Sequence, residues 1–153
     1  MNAGERCNRQ VVTATRETTI SGAARLMRDK HVGSLIVVES RDNRLEPVGI
    51  LTDRDIVIEV LAENVDPDAV TVGDVMTTAV LKVCEHDSIF EVAQRMRARG
   101  VRRVPVVSKQ CELVGVLAQD DILALLGEEL SLLVKVSTRE VEQEIKKRGR
   151  PVA

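Results

Sequence analysis

Apolar positions along the chain follow two alternating periods, and the order of those periods occurs twice. Ile20, Ala23, Ala24 and Met27 stand at i, i+3, i+4 and i+7, the stripe of an amphipathic helix. Ile89, Val92, Ala93 and Met96 repeat that stripe at an offset of 69 residues. Val32, Val37 and Val38 then correspond to Val101, Val106 and Val107 at the same offset. VGILTDRDI, Val48 to Ile56, answers to VGVLAQDDI, Val114 to Ile122, at an offset of 66. The first copy therefore holds three extra residues within Glu39 to Glu46, a polar stretch where a hairpin loop tolerates insertion.

Each copy reads as a short strand, a helix, two strands joined by a turn, and a second helix, an α/β (α+β) pattern. The strands are expected near Val11–Ala14, Ser34–Val38 and Val48–Leu51, and near Val80–Val83, Val104–Val107 and Val114–Leu117, where β-branched runs lie between polar turns. Ser88 followed by Glu91 is a capping box that opens the second-copy helix. The expected organisation is a first repeat over 7–63, a linker over 64–75 marked by Pro67 and Gly73, a second repeat over 76–127, and a helical, basic tail over 128–153. One copy alone is small for an independent core, so the two together are the expected folding unit. In the tail, Leu130, Leu133, Val134, Val141 and Ile145 fall near helical spacing. Ser137 with Glu140 reads as the cap of a fresh helix.

Composition narrows the function. The 153 residues are 44% hydrophobic and 30% charged, an ordinary balance for a soluble globular chain. There is no Trp, no Tyr and one Phe, Phe90. That excludes an aromatic platform for single-stranded nucleic acid, an aromatic cage for a quaternary amine, and an aromatic-anchored protein hot spot. The net charge of −2 gives no overall electrostatic footprint for nucleic acid. No apolar run is long enough to span a bilayer, and Met1 to Gln10 lacks the apolar stretch of a secretory signal. Cys7, Cys84 and Cys111 are odd in number and far apart, which suits reduced thiols in a cytoplasm. Cys84 and Cys111 flank strands and are expected to be half-buried.

Thr52 and Asp55 are the first candidates for chemistry. Thr-x-x-Asp at a strand-to-helix junction is also what a plain capping pair looks like. Duplication separates the two readings. Asp121 keeps the acid in the second copy, whereas the capping Thr is replaced by Ala118. A carboxylate at such a junction can accept hydrogen bonds from two vicinal hydroxyls, as an acidic residue does for ribose in dinucleotide-binding folds. Arg102 and Arg103 offer guanidinium forks suited to phosphate, although charges beside a strand also guard a sheet edge.

With these residues in view, the chain resembles a tandem cystathionine-β-synthase (CBS) domain pair, a Bateman module. The resemblance rests on the helix I-x-x-A-A-x-x-M, GSLIVV in copy one, GVRRVPVV in copy two, and the two G-h-x-(T/A)-x-x-D-I endings, and covers about Cys7 to Leu126. It implies two β-α-β-β-α repeats packed sheet to sheet about a pseudo-twofold axis. It further implies two clefts for adenosine-containing ligands and face-to-face homodimers. Carried over residue by residue, the first cleft takes Thr52 and Asp55 for ribose, Val80, Leu81 and Val101 for the base, and Arg102 and Arg103 for phosphate. The second cleft pairs Asp121 with Val12, Val32, Gly33 and Ser34. It lacks the hydroxyl that Ala118 replaces and any cation at Gly33–Ser34, so the first cleft is expected to hold phosphate better.

No catalytic constellation is legible, and the chain is read as a non-enzymatic sensor. It would bind an adenine nucleotide (AMP, ADP, ATP or NAD) as a regulatory ligand and change conformation or partner with it. His31 and His86 have no zinc-ligand spacing with the cysteines and read as surface residues. The dinucleotide and P-loop glycine motifs of nucleotide-dependent enzymes are absent. The alternative reading is a structural or DNA-associated dimer built on the tail. There, Arg148-Gly149-Arg150-Pro151 after Lys146 and Lys147 resembles the core of an AT-hook. The expected partners are the adenosine ligand, a second copy of the chain and an effector protein.

Overall fold

The computed structural model describes residues 1–149. The chain forms two compact units, the first of residues 1–118 and the second beginning at Gln119. The first unit contains the whole first repeat and the second repeat up to its last strand. In the first repeat, β1 (Thr13–Ala14) pairs in parallel with β2 (Ser34–Arg41), which pairs antiparallel with β3 (Arg44–Thr52). In the second, β4 (Val83–Cys84), β5 (Arg103–Val107) and β6 (Leu113–Ala118) repeat the order and directions. The register slips at equivalent places in the two hairpins, Val37/Val38 and Val106/Val107.

The stripe helices occur where the periodicity places them, as α2 (Ile20–Lys30) and α5 (Ile89–Arg99). Their buried residues are Ile20, Ala23 and Met27, and Ile89, Val92 and Met96. The i+4 positions are less covered, because Ala24 is exposed and Ala93 half-exposed. Thr19 and Ser88 cap the helices. The Thr19 hydroxyl accepts from the Gly22 amide at 3.1 Å, and the Ser88–Glu91 box forms as expected. Both helices end on a left-handed residue, His31 in one and Gly100 in the other. The three extra residues lengthen the β2–β3 hairpin, whose two-residue turn Asp42–Asn43 has both φ angles positive. Cys111 is not half-buried as expected. It lies exposed in the β5–β6 turn with φ +62.

Two short helices were not visible as hydrophobic periods. α1 (Ala3–Arg6) opens the chain, and α4 (Val72–Val75) lies within the stretch expected as linker. Each packs on the opposite repeat. The amides of Ala3 and Gly4 donate to the carbonyls of Asp87 and Glu85, both at 2.8 Å. At an offset of 69, the amides of Val72 and Gly73 donate to Thr18 and Arg16 at 2.7 and 2.9 Å. The bridge Asn8↔Val116 is matched in the same way by Thr77↔Ile50, and Asn2↔Ser88 by Thr71↔Thr19. This exchange, together with β3 lying against β6, is the pseudo-twofold symmetry of the pair.

The core of the first repeat shows what the exchange does. Ala14, Ile20, Leu35, Val37 and Leu51 are buried together with Val60, and Val72 and Met76 complete the cluster from beyond the connection. Between them, the segment 64–71 folds back, with the amides of Ser21 and Ile20 donating to Pro67 and Val70. After β3 comes α3 (Asp53–Ile56), which continues as a π-helical turn, Val57–Leu61.

The described part of the second unit is one helix, α6 (Gln119–Arg148). No fresh helix starts at Ser137. The helix is continuous through Gly127, and the Thr138 hydroxyl donates back to the Val134 carbonyl at 3.2 Å. A single glycine in a Leu- and Glu-rich run weakens a helix without ending it, because neighbouring residues have high helix propensity and no proline intervenes. Arg150 and Pro151 of the AT-hook resemblance lie outside the described residues.

Candidate functional site

The candidate site forms where β3 ends and turns into α3. Thr52 and Asp55 make a reciprocal capping box. The Thr52 amide donates to Asp55 Oδ2 at 2.9 Å, and the Asp55 amide donates to Thr52 Oγ1 at 3.1 Å. Both side chains are half-buried. The carboxylate is therefore fixed by the backbone, with one oxygen committed to the cap and the other directed by it.

Thr52 is paired across the sheet with Ser34, at the start of β2. Next to it, the Asp53 amide donates to the Gly33 carbonyl at 3.0 Å. Arg103, which starts β5 and pairs with Ala118, reaches over from the second repeat, and its Nη1 donates to Ser34 Oγ at 3.2 Å. A Cβ on Gly33 would lie 3.1 Å from Asp53 Oδ2 and 3.7 Å from Arg103 Nη1. Gly33, Ser34, Thr52, Asp55 and Arg103 thus gather at one end of the two sheets. Sequence reasoning had divided this set between two clefts. Ser34 and Arg103 are equivalent residues at the 69-residue offset, so the pseudo-twofold places them face to face.

The remaining candidates are more dispersed. Val80 and Leu81 are half-buried in the approach to β4, while Val101 and Arg102 are exposed just before β5. Val12 and Val32 pack against the first-repeat core, and the Val12 carbonyl accepts from the Ile36 amide at 3.2 Å. Asp121 lies in the first turn of α6, within the second unit. Phe90, given no ligand role, is 54% exposed. His31 and His86 are exposed as expected, and no cluster of three metal-ligating side chains occurs among the described residues.

A feature that sequence reasoning missed is a cavity of about 300 Å³ beside Asp55. Four valines, Val60, Val65, Val70 and Val75, line it together with Asp55, Glu59, Asp74 and Thr77. The amide and hydroxyl of Thr71 donate to Asp74 Oδ2 at 2.9 and 3.0 Å and hold its carboxyl below the ordinary value of 3.8. Three carboxylates around one opening repel a phosphate, so this cavity is not where a phosphate end would lie. The Arg103 guanidinium lies instead on the Ser34 side of the junction.

Comparison with known proteins now places the chain. It belongs to the CBS domain family, matched as CBS domain over residues 3–62 and again over 72–128. Hypoxic response protein 1 of Mycobacterium tuberculosis is 38% identical over 128 residues, which is 84% of this chain and 82% of that protein. Its crystal structure with two coordinated zinc ions superposes with a TM-score of 0.69. An uncharacterised protein of Methanopyrus kandleri is 35% identical, and the chain spans 61% of its length. The CBS domain pair of protein MJ0100, in complex with 5′-methylthioadenosine and S-adenosyl-L-methionine, is 26% identical, with a TM-score of 0.73 over 84% of this chain and 98% of that one. The CBS domain protein PAE2072 of Pyrobaculum aerophilum, complexed with AMP, is 27% identical, with a TM-score of 0.71 over 79% and 89%. Among the described residues, no helix is long and apolar enough to cross a membrane.

Proposed function

We propose that this CBS pair senses an adenosine ligand, and that it acts by ligand-dependent rearrangement of its two repeats rather than by catalysis. The observation that carries the reading is the cluster at the end of the sheets, where the Thr52–Asp55 cap stands beside Ser34, whose hydroxyl accepts from Arg103 of the other repeat. Similar pairs holding AMP, or 5′-methylthioadenosine with S-adenosyl-L-methionine, support the ligand class.

In this reading the uncommitted oxygen of Asp55 accepts from ribose hydroxyls, with Thr52 fixing its orientation. The base lies against Val80, Leu81 and Val101. An aliphatic wall holds a base by dispersion and burial, so selectivity falls to the carboxylate and the cations. Arg103 binds phosphate, with Arg102 beside it. Its contact with Ser34 is one of the hydrogen bonds joining the repeats, so a phosphate that captures the guanidinium exchanges an inter-repeat contact for a ligand contact. That difference gives the ligand unequal affinity for two arrangements of the pair, which is the thermodynamic requirement for a switch. Asp121 is the carboxylate of the weaker second site.

Thermal melts with AMP, ATP, NAD, 5′-methylthioadenosine and S-adenosyl-L-methionine test this. A ligand at a hundred times its Kd stabilises by about 2.7 kcal/mol. Asp55→Ala is expected to abolish the strongest shift, while Asp121→Ala reduces it less. Arg103→Ala should weaken AMP and ATP at least tenfold and leave 5′-methylthioadenosine, which has no phosphate, nearly unchanged. The absence of a shift with any of the five at millimolar concentration overturns the reading.

A further inference from the structure

From Leu126 to Gly149 no side chain is buried, yet this part of α6 is not polar. Leu123, Leu126, Leu130, Val134, Val141 and Ile145 recur at helical spacing and form a stripe along one face. Leu130 is 64% exposed and Val134 60%. From Leu123 to Ile145 the stripe is roughly 33 Å long at the α-helical rise. Apolar surface of that extent, interrupted only by Ser137 and Thr138, is unusual on a monomer and marks a contact surface.

Charge along the same helix says what covers it. Residues 119–133 carry four carboxylates, Asp120, Asp121, Glu128 and Glu129, and no cation. Residues 134–149 carry five cations against three carboxylates, with Lys146, Lys147 and Arg148 in the last turn. The helix is therefore acidic at its start and basic at its end, and the complement of that pattern is the same helix reversed. A parallel pair would set four carboxylates against four. An antiparallel pair sets the acidic half against the basic half and also opposes the two helix dipoles favourably. The stripe is self-complementary in that orientation, because Val134 is midway between Leu123 and Ile145. Centring two copies on Val134 brings Leu123 of each opposite Ile145 of the other.

We propose that α6 is a self-association surface whose occupant is α6 of a second copy, antiparallel and centred on Val134. In such a pair, a residue at the crossing meets its own counterpart, and residues toward the ends do not. Full-length Val134→Cys is expected to form a symmetric disulfide under mild oxidation, located by peptide mass at position 134 rather than at Cys7, Cys84 or Cys111. Leu123→Cys and Ile145→Cys should each fail to link with itself, and should link to one another when the two proteins are mixed. Light scattering should give a dimer for the unmodified chain. The double variant Leu130→Glu, Val134→Glu, altering two exposed positions, should raise the dissociation constant at least tenfold without loss of helical circular dichroism. Self-linking of Leu123→Cys would mean parallel pairing and overturn the proposal. So would a monomeric parent chain, absence of the Val134→Cys link, or a dimer unaffected by the double variant.

Discussion

Equivalent residues of the two repeats solve the same contact in different ways. Gly49 and Gly115 are such a pair, each crossed by the segment that follows the short helix of the opposite repeat. A Cβ on Gly49 would meet Met76 Sδ at 2.4 Å and the Thr77 carbonyl oxygen at 3.2 Å. On Gly115 it would meet Cys7 Sγ at 2.5 Å and the Asn8 carbonyl oxygen at 2.8 Å. The first clash is mainly with a flexible thioether, which can turn away. The second includes a backbone oxygen held in the Asn8↔Val116 bridge, which cannot. Gly115→Ala should therefore cost about 1–3 kcal/mol, in the range of core overpacking, and Gly49→Ala distinctly less. Urea denaturation of the two variants decides it, and equal losses would contradict the distinction. Neither requirement was legible in the sequence, where both glycines read only as strand residues. The site was legible in part for a related reason. Thr52, Asp55, Ser34 and Arg103 could be named by type and position, but the repeat offset had to be combined with the pseudo-twofold axis before Ser34 and Arg103 could be seen to meet.

Elements with a hydrophobic period could be read, and those without one could not. α2 and α5 were bounded by the stripe and, in α5, by the Ser88–Glu91 box. α1 and α4 have four residues each and show no period. The signal that could have found them is the offset itself, which carries Asn2, Gly4 and Glu5 onto Thr71, Gly73 and Asp74, a capping box and its glycine in each repeat. α6 was misread in the other direction, because the change of pattern after Gly127 suggested a break. A Cβ on Gly127 would have no heavy atom within 4 Å. Gly127→Ala should thus stabilise the helix by about 0.5–1 kcal/mol through lost unfolded-state freedom. Amide exchange over 123–133 is expected to slow by roughly twofold to fivefold. Faster exchange would show that the glycine marks a needed bend.

At the scale of the whole molecule, the exchanged segments decide how the pair unfolds. Val72, fully buried, belongs in sequence to the start of the second repeat and completes the core of the first. Ala3, also fully buried, precedes the first repeat and donates its amide to Asp87 of the second. Neither repeat closes its core with its own chain alone, so loosening one must expose part of the other. Placing a charge at either point tests this. Ala3→Asp and Val72→Asp each bury an unpaired carboxylate, which is expected to cost about 3–5 kcal/mol. Because the repeats share the exchanged segments, each variant should lower a single cooperative transition of unit 1–118, with first-repeat and second-repeat amides losing exchange protection together. Were the repeats autonomous, Ala3→Asp would unfold the second repeat at low urea and leave protection at Leu35, Val37 and Leu51 intact. Hydrogen exchange across a urea series separates these outcomes. The cooperative one is also what sensing requires, since a ligand held at the sheet ends can bias both repeats only if they do not open independently.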